Sequence, residues 1–122
     1  ILKYNFLISQ IINSIKNKKK LFIDKNIIRS YMHDIDMCKW ILKILISSSI
    51  KCPIYNLGSD KTINFKNFCS YLSKKYNAKV EIVMKKNKMD YYIPSTNLAK
   101  SKLKLRTTIN FKDAIRSILN QR

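Results

Sequence analysis

The spacing of apolar residues constrains this chain more than any other feature. Tyr4, Leu7, Ile8, Ile11, Ile12 and Ile15 recur every three or four positions. They therefore share one face of an amphipathic first helix, which ends in the basic run 16–20. Residues 21–24 then read as a short strand, with 24–26 as a turn. Residues 28–33 form a second extended segment, which places Arg29, Tyr31 and His33 on one face. Asp34 or Asp36 can cap the helix that follows, and its predicted buried stripe is Met37, Trp40, Ile41, Ile44 and Leu45.

Residues 53–57 are predicted as a compact strand, with Gly58 permitting a tight exit. Asn64 precedes a helix whose Phe65, Phe68, Cys69, Leu72 and Tyr76 follow the helical period. Residues 79–84 alternate as a strand does, and 85–90 read as a polar, basic loop. Thr96 can cap a short helix through Leu103. Asn110 and Asp113 approximate a capping box for a last helix built on Phe111, Ala114, Ile115, Ile118 and Leu119. With no internal repeat and no linker, residues 1–122 read as a single small α/β region of short strands with packed helices.

With 122 residues and 46% hydrophobic content, the chain can build one modest core. It begins at Ile1, which suits a fragment of a longer protein. No apolar run approaches the roughly 18 residues of a membrane span, and no small-residue cleavage site follows the basic start. The expectation is a cytoplasmic protein without a membrane partner. The net charge of +18 invites a polyanion, but the lysines are spread along the chain. A solvated surface shaped by biased composition is preferred to nucleic acid as a partner.

Cys38, Cys52 and Cys69 are far apart, form no CxxC pair and are joined by one histidine, so no metal site is expected. Cys38 and Cys69 are placed on apolar helix faces as buried free thiols.

The pattern R-x-Y-x-H-x-x-D at 29–36 is followed by Y-N-x-G-S at 55–59 and by the segment from Asp90 to Lys100. In that order and spacing they resemble the C-terminal, substrate-binding part of the extended short-chain dehydrogenase/reductase family, the NAD-dependent nucleotide-sugar epimerases and dehydratases. The resemblance runs from the first helix to Ile118. It implies that Arg29 contacts the diphosphate of a nucleotide sugar, since a planar guanidinium grips a diphosphate through two parallel hydrogen bonds. The alternative for Arg29 is a surface pair with Asp34 or Asp36.

Asn64 stands where related enzymes place a group near the substrate phosphates, and it is equally a helix cap. Asp90 and Tyr92 are the carry-overs at the nucleotide end, and Lys88 (or Lys86) stands where an Arg is common. Asn56 is expected to satisfy loop backbone groups. His33, the lone histidine, lacks an orienting partner and reads as structural.

The chain also departs from the family. Ser95 replaces an Asp, and Lys104 and Thr107 stand where a Leu-Gly and a Pro are common. The single glycine excludes the Gly-rich dinucleotide turn. Tyr71 and Lys75 spell Y-x-x-x-K, but inside the helix after the Y-N-x-G-S turn, so the match is taken as coincidence. The dinucleotide-binding half is read as absent, no cofactor is assigned to these residues, and the fragment is not expected to be active by itself.

For an intact enzyme, with a homodimer as its expected assembly, the resemblance implies NAD or NADP taking a hydride from the sugar's C4. Epimerisation, water elimination or reduction would follow, and this region would anchor the nucleotide-diphosphate sugar. The alternatives are a small basic nucleic-acid-binding protein and a non-functional truncated remnant.

Overall fold

The computed structural model describes residues 6–23, 26–82 and 89–121. Among the described residues, five helices and five short strands follow one another: α1 (Leu7–Lys16), β1 (Leu21–Ile23), β2 (Asn26–Ser30), α2 (Asp34–Ile46), β3 (Thr62–Asn64), α3 (Phe65–Tyr76), β4 (Val80–Ile82), β5 (Met89–Tyr92), α4 (Asn97–Leu103) and α5 (Phe111–Asn120). This is an α/β chain, as expected. β1 and β4 pair in parallel with Leu21 opposite Val80, and β3-β2-β5 form a three-stranded sheet with β2 in the middle.

The chain divides into two compact units. The first comprises residues 1–28, 63–91 and 119–122, and the second comprises 29–62 and 92–118. The first unit has an apolar core. Ile11, Ile12 and Ile15 of α1 and Phe65, Phe68, Cys69 and Leu72 of α3 are all buried. These are the residues the helical periodicity selects, and both helices pack beside the β1–β4 pair. Phe65 and Phe68 meet edge to face, with ring centroids 6.4 Å apart. Tyr4 of the predicted first stripe lies outside the described residues.

The second unit is built differently. Its buried residues are Trp40, Ala99 and Ile115 together with Asp36, Ser59 and Thr96. The predicted α2 stripe holds at Trp40 and Ile44 and fails at its other members. Met37, Ile41 and Leu45 are 39%, 45% and 65% exposed, whereas Asp36, Trp40 and the half-buried Ile44 form the inner row at i, i+4 and i+8. Asp36 turns the helix. Its Oδ2 accepts the backbone N–H groups of Thr108 (2.7 Å) and Ile109 (2.9 Å), and its Oδ1 accepts the Thr108 hydroxyl (2.6 Å). A carboxylate satisfied three times over can face inward where an unpaired one could not.

Other expectations fare unevenly. Residues 53–57 form no strand: no partner strand pairs with them among the described residues, and Ile54 is exposed. β3 and β5 are additions to the predicted elements, being short and largely polar in sequence. α3, α4 and α5 begin where predicted. The second extended segment begins earlier, at Asn26, and its strand ends at Ser30. Cys38 is exposed, because it falls on the outward side of the turned α2, while Cys69 is buried as expected. Among the described residues no helix is long and apolar enough to cross a membrane.

Candidate functional site

Arg29 lies on β2 and is half-buried. Just beyond that strand Tyr31 stacks on Phe111 of α5, with ring centroids 5.0 Å apart. Burial of Tyr31 raises the pKa of its hydroxyl above the ordinary value, and the Arg29 charge opposes that rise. The guanidinium therefore sits close to an aromatic pair that fixes the end of its strand. Both acids considered as partners for Arg29 have other work. Asp36 holds residues 108–109. Asp34 Oδ1 accepts the Ile35 N–H at 2.8 Å and lies 2.6 Å from His33 Nδ1.

His33 occupies the N-cap of α2. The 2.6 Å contact to Asp34 is a donation from Nδ1, which leaves that nitrogen unable to accept the Ile35 N–H 3.3 Å away. The carboxylate of Asp34 then caps the helix with His33 steadying it. Of the two acids weighed as caps, Asp34, the first residue of α2, is the one that accepts an N–H of its first turn.

Tyr92 ends β5 and is 68% exposed. Since β2 and β5 are neighbours, Arg29 and Tyr92 stand on adjacent strands within the second unit. Asn64 and Asp90 belong to the first unit, on β3 and β5. Asn64 is the N-cap of α3, its Oδ1 accepting the Asn67 N–H at 3.2 Å. Asp90 is exposed on β5. Lys88 and Lys86 lie outside the described residues. Of the four candidates among the described residues, Arg29 and Tyr92 belong to the second unit and Asn64 and Asp90 to the first, with Arg29 on β2 and both Asp90 and Tyr92 on the neighbouring β5.

Asn56 bonds to backbone, though not within its own turn. Its Nδ2 donates to Ser95 O at 2.9 Å, tying the Y-N-x-G-S loop to the segment before α4. Gly58 serves the same junction, since a Cβ there would stand 2.5 Å from Pro94 Cγ. Tyr71 and Lys75 lie within α3, and the Lys75 ammonium rests 5.7 Å from the Tyr76 ring centre. The coincidental reading of that motif suits its place.

Sequence reasoning placed Trp40 in the buried stripe but missed Asp36 as its buried neighbour and the hydrogen bonds that both make. Trp40 Nε1 donates to Arg106 O at 3.2 Å, one turn along α2 from the Asp36 clamp. Burial pushes the Asp36 carboxyl up, but the bonds from the Thr108 hydroxyl and the Ile109 and Thr108 amides outweigh it. With Lys39 nearby, they hold its pKa below the ordinary carboxylate value. A signal was present: an acid and a Trp at i, i+4 on one face of the helix.

No family model matches the chain, and no curated protein matches it. Solved structures do. RMD from Pseudomonas aeruginosa, complexed with NADPH, has TM-score 0.75 and 18% identity over 96% of this chain and 41% of its own. DesIV, a dTDP-glucose 4,6-dehydratase from Streptomyces venezuelae with NAD and TYD bound, has TM-score 0.73 and 19% identity over 94% of this chain and 38% of its own. UDP-glucuronic acid 4-epimerase from Bacillus cereus, in complex with UDP-glucuronic acid and NAD, has TM-score 0.72 and 15% identity over 93% of this chain and 38% of its own. The chain spans about two-fifths of the length of the structures it matches. Its fold is that of the C-terminal part of extended short-chain dehydrogenase/reductase structures, the NAD-dependent nucleotide-sugar epimerases and dehydratases.

Proposed function

We propose that this chain is the nucleotide-sugar-binding portion of an NAD- or NADP-dependent sugar epimerase, 4,6-dehydratase or reductase, a carbohydrate-biosynthetic enzyme of the cytoplasm. The observation that carries the reading is the fold shared with such enzymes along nearly the whole of this chain, with Arg29 on the middle strand of its three-stranded sheet. Arg29 would grip the substrate diphosphate through paired hydrogen bonds. Tyr92, on the neighbouring strand, would offer ring area and a hydroxyl to the nucleotide. Asp90 would accept from ribose hydroxyls, with Lys88 and Asn64 assisting at the phosphates. Each of these roles positions the substrate and none breaks a bond.

The residues present do not make a dinucleotide turn. Gly58 is the sole glycine, and its missing side chain makes room for the Pro94 ring rather than for a phosphate. No reaction step is therefore assigned through a cofactor. In the relatives NAD or NADPH is bound by chains about two and a half times as long, so the cofactor would belong to a portion this chain does not span.

The test joins the chain to a dinucleotide-binding half and measures UDP-sugar and NAD binding by calorimetry. Arg29→Ala is expected to weaken UDP-sugar binding about tenfold or more, with NAD binding unchanged. Arg29→Lys should not restore it, because an ammonium cannot reproduce the fork. Equal losses for both ligands would reject the assignment.

A further inference from the structure

A concave surface lies within the second unit and involves neither Arg29 nor Tyr92. It is an open groove of about 560 Å³, the size range of small-molecule sites. Three cations line it, Lys61, Lys100 and Arg106, together with Asp60 and the hydroxyls of Ser101 and Thr107.

The cations come from three separate segments, each held by its own contact. The Lys61 backbone N–H donates to Oγ of buried Ser59 at 3.1 Å, which fixes the turn bearing Lys61. Lys100 projects from α4. Arg106 follows the end of that helix, where Lys104 adopts a left-handed backbone (φ 56°) and redirects the chain. The Arg106 carbonyl is then held by Trp40 Nε1, and the next two residues by Asp36. The cationic groove therefore stands on the Asp36–Trp40 scaffold.

The charge is unbalanced. Asp60 is the one acid among the described residues lining the groove, and it is paired with Lys100, whose hydrogen bond leads the effects lowering the Asp60 pKa. Among the described residues, neither Lys61 Nζ nor the Arg106 guanidinium has an ion pair or hydrogen bond of its own. Two cations thus remain available beside the Thr107 hydroxyl, while the Ser101 hydroxyl donates to Leu98 O at 3.2 Å. Arg supplies a planar fork, Lys a mobile point charge and Thr107 a neutral donor, a set suited to phosphate oxygens.

We infer that this groove binds a phosphate-bearing small molecule, the phosphate lying between Lys61 and Arg106 with Thr107 as an added donor. The occupant's remaining atoms would extend towards Lys100 and Asp60.

The test is a titration of the isotopically labelled 122-residue chain at physiological salt, followed by amide NMR. Its three probes are inorganic phosphate, pyrophosphate and glucose 1-phosphate. Saturable shifts confined to Lys61, Ser101, Arg106 and Thr107 are expected. Inorganic phosphate binding as tightly as glucose 1-phosphate would identify a bare phosphate site, and tighter glucose 1-phosphate a phosphate-ester site. Arg106→Ala should weaken binding about tenfold, and its fold should hold because Trp40 bonds to the Arg106 carbonyl rather than its side chain. Asp60→Asn removes the competing carboxylate and frees Lys100, so it should tighten binding about threefold. Lys18→Ala/Lys19→Ala, in the other unit, should change nothing. Shifts spread over the basic surface, with Arg106→Ala binding as well as the parent, would reduce the effect to generic counterion attraction and overturn the proposal.

Discussion

The two units bury their side chains by opposite means. In the first, α1 and α3 contribute almost wholly apolar residues, with Ser9 the exception. In the second, a carboxylate, two hydroxyl side chains and an indole N–H lie inside with Ala99 and Ile115, and hydrogen bonds across more than sixty residues close the structure. Helix endings differ in the same way. α3 terminates on Asn77 in the left-handed region (φ 49°), the best residue for it after glycine. α4 terminates on Lys104 in the same region, a conformation that strains a side chain with a Cβ. An apolar core tolerates variation in detail, whereas a polar clamp depends on a few atoms, and the second unit carries both Arg29 and the cationic groove.

The sharpest way to break the contrast is to attack each core in its own terms. Phe68→Ala should destabilise the first unit by about 3–5 kcal/mol through the cavity it leaves. Asp36→Ala should cost the second about 3 kcal/mol, because it strands two amides and a hydroxyl. Hydrogen exchange followed residue by residue reads both. If Asp36→Ala left amides 105–110 as protected as before, the clamp would not be holding that segment.

Acid should separate the units next. The folded pKa of Asp36 is lowered, so its stabilisation is fully present above the unfolded carboxylate value of about 3.9 and is lost as pH falls through the folded value. Acidification below about pH 4 should therefore open 29–62 and 92–118 before the apolar unit, and Asp36→Asn should remove the difference. Near-UV signal from Trp40 is the convenient probe. A common transition for both units would contradict this.

Thiol chemistry provides a smaller contrast. Burial pushes the Cys69 thiol up to about 12, whereas Cys38 and Cys52 are exposed. With a maleimide at about pH 8, two cysteines should label promptly and Cys69 only when the first unit opens, a rate that Phe68→Ala should raise. Smallest of all, Lys104→Gly should raise thermal stability by about 0.5–1 kcal/mol through relief at the α4 end, while Asn77→Gly should change little.

Much of the first unit is legible in the sequence. Ile11, Ile12, Phe68 and Leu72 recur at the helical period, and an apolar stripe has only one way to face. The start of α3 at Asn64 is legible too, because a cap acts on its own first turn. The second unit defeats the same reasoning at α2. Hydrophobicity alone turns Met37, Ile41 and Leu45 inward, yet partners 72 and 73 residues away turn Asp36 inward instead. Local sequence carries no record of such partners. The short strands β3 and β5 are invisible for a related reason: a strand of three or four mixed residues is defined by what it pairs with.

By itself the sequence determined the α/β class, the order of helices and the segment R-x-Y-x-H-x-x-D, whose likeness to nucleotide-sugar epimerases and dehydratases the fold bears out. These depend on periodicity and spacing, which are properties of neighbours along the chain. Tertiary structure alone decided which way α2 faces, that Asp36 and Trp40 hold residues 106–109, and that Lys61, Lys100 and Arg106 line one groove. Those depend on distance in space, and the hydrogen bonds that set it link residues more than sixty positions apart.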